Sequence, residues 1–159
     1  MRKVLTLGYP WSSLAMVLLT VSCFVPTGEL VAQMPASGTS PQAHEFTQNV
    51  KEVYFPFNIY NRIVDPSVLN SDADWLKQHP DAHLWIQGYA DVRGDIFYNL
   101  VLSYRRAQFV KSRLVKSGVN ESQIGFATGW GKLYPVCQAT DDSCYRKQRR
   151  ADIVPPDVM

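Results

Sequence analysis

Residues 84–114 read LWIQGYADVRGDIFYNLVLSYRRAQFVKSRL, and this stretch decides the fold. Over 82–88 the side chains alternate. Leu84 and Ile86 fall on one face, Trp85 and Gln87 on the other, which is the period of a half-buried strand. A polar loop follows from Gly88 to Asp95, and its two glycines allow bends that other residues resist. Asp95 is placed to cap the next helix. On that helix Leu100, Ser103, Ala107, Val110 and Leu114 are spaced by alternating threes and fours, the pattern of a buried stripe. Arg106 falls on the flank of the stripe, and Arg105 points further out. An acid on the loop, Asp91, and a guanidinium on the following helix, Arg106, can therefore face one small pocket. Such a pair complements a group that carries an ammonium beside a carboxylate.

Working back towards the N-terminus, Asp65-Pro66 is a helix start, with an N-cap followed by a first-turn proline. That helix is expected to reach His79 before Pro80 stops it, with Val68, Leu69, Ala73 and Leu76 inward. Before it, residues 52–57 (EVYFPF) suit a strand. Pro56 lacks an amide donor, which puts that strand on an edge or ends it there. The loop from Asn58 to Arg62 could border a site.

Towards the C-terminus, Gly118 is a natural helix terminator. Residues 124–131 read as a third strand, a short helix is expected over 143–149, and 151–154 form the last strand before Pro155-Pro156. The alternating order β-α-β-α-β-α-β is that of an α+β domain, a small mixed sheet with helices packed on one face.

The first 32 residues have the pattern of an export signal. Arg2 and Lys3 precede an apolar core over 14–25, too short for a bilayer span of about 20 residues. Two cleavages are open. One follows Leu30-Val31-Ala32. The other precedes Cys23 in Leu19-Thr20-Val21-Ser22-Cys23, which resembles a lipobox and would make Cys23 a site of lipidation. In either case the chain leaves the cytoplasm. Residues 33–48, rich in Pro, Ser, Thr, Gln and Gly, have linker composition and are expected to be flexible, leaving 49–159 as the folded domain. Cys137 and Cys144 then remain in an oxidising compartment and are expected to form one disulfide.

The formal net charge is +2, and without Arg2, Lys3 and Glu29 the balance is 14 bases to 13 acids. That is no footprint for nucleic acid, which needs a concentrated basic stripe. The compact cysteine pair has no histidine nearby, so no metal site is expected, and nothing calls for a cofactor. His44, His79 and His83 lie away from Asp91, and no serine or cysteine stands in an activating context. Nor do paired carboxylates recur as a glycosidase needs. A hydrolase is thus the alternative to a non-catalytic module.

Several motifs in order carry a resemblance. They are Val53 to Phe57, then Gly88-Tyr89-Ala90-Asp91-Val92-Arg93-Gly94, then Tyr98-Asn99 through Leu102-Ser103 to Arg106-Ala107, and last Gln148-Arg149-Arg150-Ala151. Together they resemble the OmpA-like C-terminal domain family, and within it the peptidoglycan-associated lipoprotein branch. The likeness runs from about residue 50 to 154. It implies a peptidoglycan-binding domain of the outer membrane's periplasmic side, whose partner is a diaminopimelate-type stem peptide. The implied contacts are Asp91 and Arg106, with Asn58, Arg93 and Arg150 as further candidates. It also implies a second reading, an envelope scaffold acting mainly through Tol-system proteins, with lipid anchoring if Cys23 is acylated. Three positions depart from the family pattern: Asn58 stands for Asp, Tyr89 for His and Gln148 for Asn.

Overall fold

The computed structural model describes residues 41–156, so the signal segment, Cys23 and residues 33–40 lie outside the described residues. The elements run α1 (Pro41–Asn49), β1 (Val53–Tyr54), α2 (Pro66–Gln78), β2 (Leu84–Gly88), α3 (Ile96–Lys116), β3 (Ile124–Gly129), α4 (Asp142–Gln148) and β4 (Arg150–Val154), with a 3-10 turn at Glu121–Gln123. The four strands lie in the order β1-β4-β2-β3. β2 and β3 are parallel, while β4 runs antiparallel to both β1 and β2. This is the expected α+β architecture with a mixed sheet, and the strand with Pro56 just beyond it is an edge.

The local signals act as read. Asp65 caps α2 by accepting from the Ser67 amide at 3.0 Å, and Asp95 caps α3 by accepting from Phe97 and Tyr98 at 2.8 and 3.1 Å. Gly118 ends α3 with φ +96°, a conformation that side-chain-bearing residues rarely adopt. Val53, Phe55, Leu69, Leu76, Leu84, Ile86, Val110, Leu114 and Ile153 form one core between the sheet and the helices. α3 packs across β2, β3 and β4. It lies so close to β2 that a Cβ on Gly88 would stand 1.9 Å from the Ser103 carbonyl oxygen. That approach brings the loop after β2 against the first turns of α3. Cys137 and Cys144 are bonded, as expected.

Several expectations are corrected. Residues 41–48 are not a linker. Pro41–Asn49 is helical, and Ala43 and Phe46 on it are buried, the Phe46 ring meeting Trp75 edge-on at 5.5 Å. Polar composition hid an amphipathic turn pattern that only a partner helix makes stable. Strand β1 is two residues long and not six: Phe55 still donates to the Arg149 carbonyl at 2.8 Å, and the chain then turns, with the Ile59 amide donating to the Pro56 carbonyl at 3.3 Å. β3 ends at Gly129, and α4 covers 142–148. On α3, Leu100 is exposed, while Asn99, Leu102, Ser103 and Arg106 are buried. The inward stripe begins one position earlier than the apolar spacing implied, because a polar cleft occupies that end of the helix. α2 has a buried acid in its stripe, Asp72, which accepts from the Lys51 amide at 3.0 Å and so fastens the α1–β1 connection.

Candidate functional site

Four segments meet at one end of the sheet: the loop after β1, the loop after β2, the first half of α3, and the α4–β4 junction. They enclose a cleft of about 170 Å³ lined by Phe57, Asn58, Asp91, Arg93, Tyr98, Asn99, Arg106 and Arg149, among others. Asp91 and Arg106 thus do border one pocket.

Asp91 is only 4% exposed. Its loop is held in place by Asn99, which donates to the Arg93 carbonyl at 2.7 Å, and by Lys132, which donates to the Gly94 carbonyl at 2.6 Å. Gln148 accepts from the Val92 amide at 3.0 Å while donating to the Cys137 carbonyl at 3.1 Å. The disulfide loop therefore braces the Asp91 loop through one side chain. The Asp91 carboxylate is fully engaged. Arg93 reaches Oδ1 through Nε at 3.1 Å and Oδ2 through Nη2 at 2.7 Å, its backbone amide donates to Oδ1 at 3.2 Å, and Arg149 Nη1 donates to Oδ2 at 3.3 Å. Burial pushes this carboxyl's pKa up, but the hydrogen bonds from Arg93 and Arg149 outweigh it and hold the group below the usual carboxylate range.

Arg106 does not sit on a flank. It is fully buried and forks onto three backbone carbonyls: Nε to Ile59 at 3.0 Å, Nη1 to Tyr89 at 2.7 Å and Nη2 to Pro56 at 3.1 Å. Among the described residues no carboxylate pairs with it. Burial and then the nearby Arg149 charge bring its pKa down to about 10. A buried cation resting on neutral carbonyls at the cleft floor is complementary to an entering anion. Asn58 stands at the rim with φ +57° and accepts from the Tyr98 hydroxyl.

Arg150 is not brought to the cleft. It pairs with Asp152 at 2.8 Å and lies over the Tyr89 ring at 4.0 Å. Arg149 lines the cleft in its place. The reason is parity: successive side chains in an extended chain point to opposite faces. Ala151 and Ile153 face the core, so Arg149 shares their side and Arg150 shares that of Asp152. That signal was present in the sequence and would have picked Arg149. The rim aromatics Phe57 and Tyr98 carried no such signal.

The described residues form no cluster of His, Cys, Asp or Glu able to hold a metal ion, and no helix among them is long and apolar enough to cross a membrane.

A mixed four-stranded sheet with helices on one face, carrying an arginine-rich cleft at the β2–α3 loop, defines the class, and residues 64–150 match the OmpA family. The chain belongs to that family. Its relatives include the peptidoglycan-associated lipoprotein of Agrobacterium fabrum, 33% identical over 126 residues that span 78% of this chain and 71% of that one. The crystal structure of the peptidoglycan-associated lipoprotein from Burkholderia pseudomallei superposes with a TM-score of 0.61 at 38% identity, covering 66% of this chain and 89% of that one. The periplasmic domain of Helicobacter pylori MotB shares the fold, with a TM-score of 0.53 at 20% identity over 65% of this chain and 74% of that one.

Proposed function

We propose that this chain is a non-catalytic peptidoglycan-binding protein of the bacterial envelope, which ties the outer membrane to the wall by seating the diaminopimelate of a stem peptide in the Asp91–Arg106 cleft. The observation that carries this reading is the buried Arg106, a cation with no acid partner among the described residues, on the same small cleft as a buried, ionised Asp91. The far end of diaminopimelate bears an ammonium and a carboxylate on one carbon. Asp91 would accept from the first, and Arg106 and Arg149 would take the second. A lysine at that position of the stem lacks the carboxylate and would leave the guanidinium unanswered. Export to the periplasmic side of the outer membrane, with Cys23 as the lipid anchor if it is acylated, belongs to the same proposal. The names of the relatives support it.

A partner role beside wall binding, with Tol-system proteins as the candidates, is favoured by one observation. Ile96, Phe97, Leu100, Val101 and Tyr104 are exposed along α3 next to the cleft, an apolar strip of the kind that marks interaction surfaces.

Sedimentation with purified sacculi tests the main reading. The wild-type protein is expected to co-sediment, and Asp91→Asn, verified as folded by circular dichroism, to stay in the supernatant. Equal sedimentation of the two would overturn it.

A further inference from the structure

Among the described residues Asp91 is the only acid lining the cleft, and it is already saturated. The side chain that saturates it is unusual in its surroundings. Arg93 is 40% exposed, whereas the carboxylate it holds is 4% exposed. The guanidinium therefore stands between the carboxylate and solvent. It is gripped from two sides, with the Phe57 ring and the Tyr145 ring each 4.3 Å away. Its Nε and Nη2 hydrogens take both carboxylate oxygens in a bidentate pair. Any ligand cation that is to reach Asp91 must occupy the place this side chain now fills.

We infer that Arg93 is an internal competitor for the ligand's ammonium: its side chain fills the cation seat on Asp91, held there by Phe57 and Tyr145, and swings out as the ammonium enters. The exchange is chemically balanced, since one cation replaces another on the same anion. The carboxylate stays charged throughout, because Arg149 and the Arg93 backbone amide keep their hydrogen bonds. The departing guanidinium gives up its ion pair and two ring contacts, which the entering ammonium and its carboxylate must offset. Its apparent effect is to lower affinity by the fraction of molecules in which the seat is open. The same device gives selectivity. A monovalent cation that cannot also satisfy Arg106 and Arg149 with a carboxylate has nothing to offset the displaced pair, so free ammonium ions and lysine side chains are turned away.

The inference rests on the wall-ligand reading, and its test separates the two. Binding of the tripeptide L-alanyl-γ-D-glutamyl-meso-diaminopimelate to the purified protein is measured by calorimetry, alongside the same tripeptide acetylated on the side-chain amine. Arg93→Met keeps the apolar stem and removes the competing charge. Tyr145→Leu weakens the grip while leaving Arg93 in place, and Tyr145 does not line the cleft. Both variants are expected to bind the free tripeptide more tightly, Arg93→Met by about fivefold, and to gain nothing with the acetylated one. Unchanged or weaker binding by Arg93→Met makes Arg93 a bystander or a direct ligand contact and overturns the inference. So does a gain that persists with the acetylated tripeptide. If Arg93→Met does not fold, Tyr145→Leu decides by the same criteria. Asp91→Asn, measured in parallel, bears on the underlying reading alone: if it binds as well as wild type, the cleft is not the wall site at all.

Discussion

Replacing Arg106 by alanine is the sharpest probe of how this domain is held together. One guanidinium from α3 supplies donors to the carbonyls of Pro56 and Ile59 on the loop after β1 and of Tyr89 on the loop after β2. These two loops form opposite walls of the cleft, so the side chain is a strut between them. Alanine strands three carbonyls, each having lost a charge-assisted bond with a net worth of about 1.5–3 kcal/mol. Part of that is returned, because the folded state no longer bears the cost of burying a charge. The balance is a destabilisation of about 3–5 kcal/mol, three carbonyls left unsatisfied at about 1–3 kcal/mol each less the relieved cost of charge burial. For a domain of this size that lowers the melting temperature by roughly 10–20 °C. Arg106→Lys keeps the charge but offers one compact donor group in place of a planar fork, so it should fall between alanine and wild type. Urea titrations followed by circular dichroism at neutral pH give the free energies directly. A midpoint for Arg106→Ala within the error of wild type would refute the strut. It would mean that water reaches those carbonyls as well as the guanidinium does. The result also governs how binding data are read, since lost wall binding in Arg106→Ala is informative only well below its unfolding midpoint.

Two further outcomes are expected. Burial pushes the Asp72 carboxyl up to about 7, against about 4 in an unfolded chain, and its Oδ2 has no hydrogen-bond partner. The folded state therefore holds the proton more tightly, and its stability falls as pH rises from about 4 to about 7. Asp72→Asn, which can still accept from the Lys51 amide, should be close to neutral at pH 4 and clearly stabilising at pH 8; thermal melts showing a pH-independent difference would count against this. The Cys137–Cys144 bond closes a short loop that braces Val92 through Gln148. Replacing both cysteines by serine should cost about 2–3 kcal/mol and speed hydrogen exchange at the Val92 amide, and an unchanged exchange rate would show that the disulfide does not brace the Asp91 loop.

Much of the fold was legible because its signals are local. The caps at Asp65 and Asp95, the terminator at Gly118 and the alternation in β2 each depend on a few neighbouring residues, and each acts as read. The misreadings share a different cause. α1 reads as linker because its stability comes from burying Phe46 against α2 and not from its own composition. Apolar spacing puts Leu100 inside and Arg106 on a flank, but at the cleft the inward positions are polar, and Asn99 and Arg106 take them. The motif points to Arg150, whereas the two-residue period of β4 turns Arg149 to the cleft.

What the sequence alone determined is the order and kind of the elements from β1 to β4, the family, and the presence of an acid and an arginine on adjoining segments. Backbone propensity, capping and chain-order motifs settle these without reference to distant contacts. Tertiary structure decided the occupancy of each charged group: that Arg93 and Arg149 hold Asp91, that Arg106 rests on three carbonyls, and that Arg150 turns to Asp152. Arg149 meets Asp91 and Arg106 meets Pro56 across 58 and 50 positions of chain, while Arg93–Asp91 and Arg150–Asp152 are local pairs two positions apart. Which guanidinium meets which oxygen is fixed only when the sheet and α3 close on one another, since competition among several arginines for one acid is settled by distance and burial.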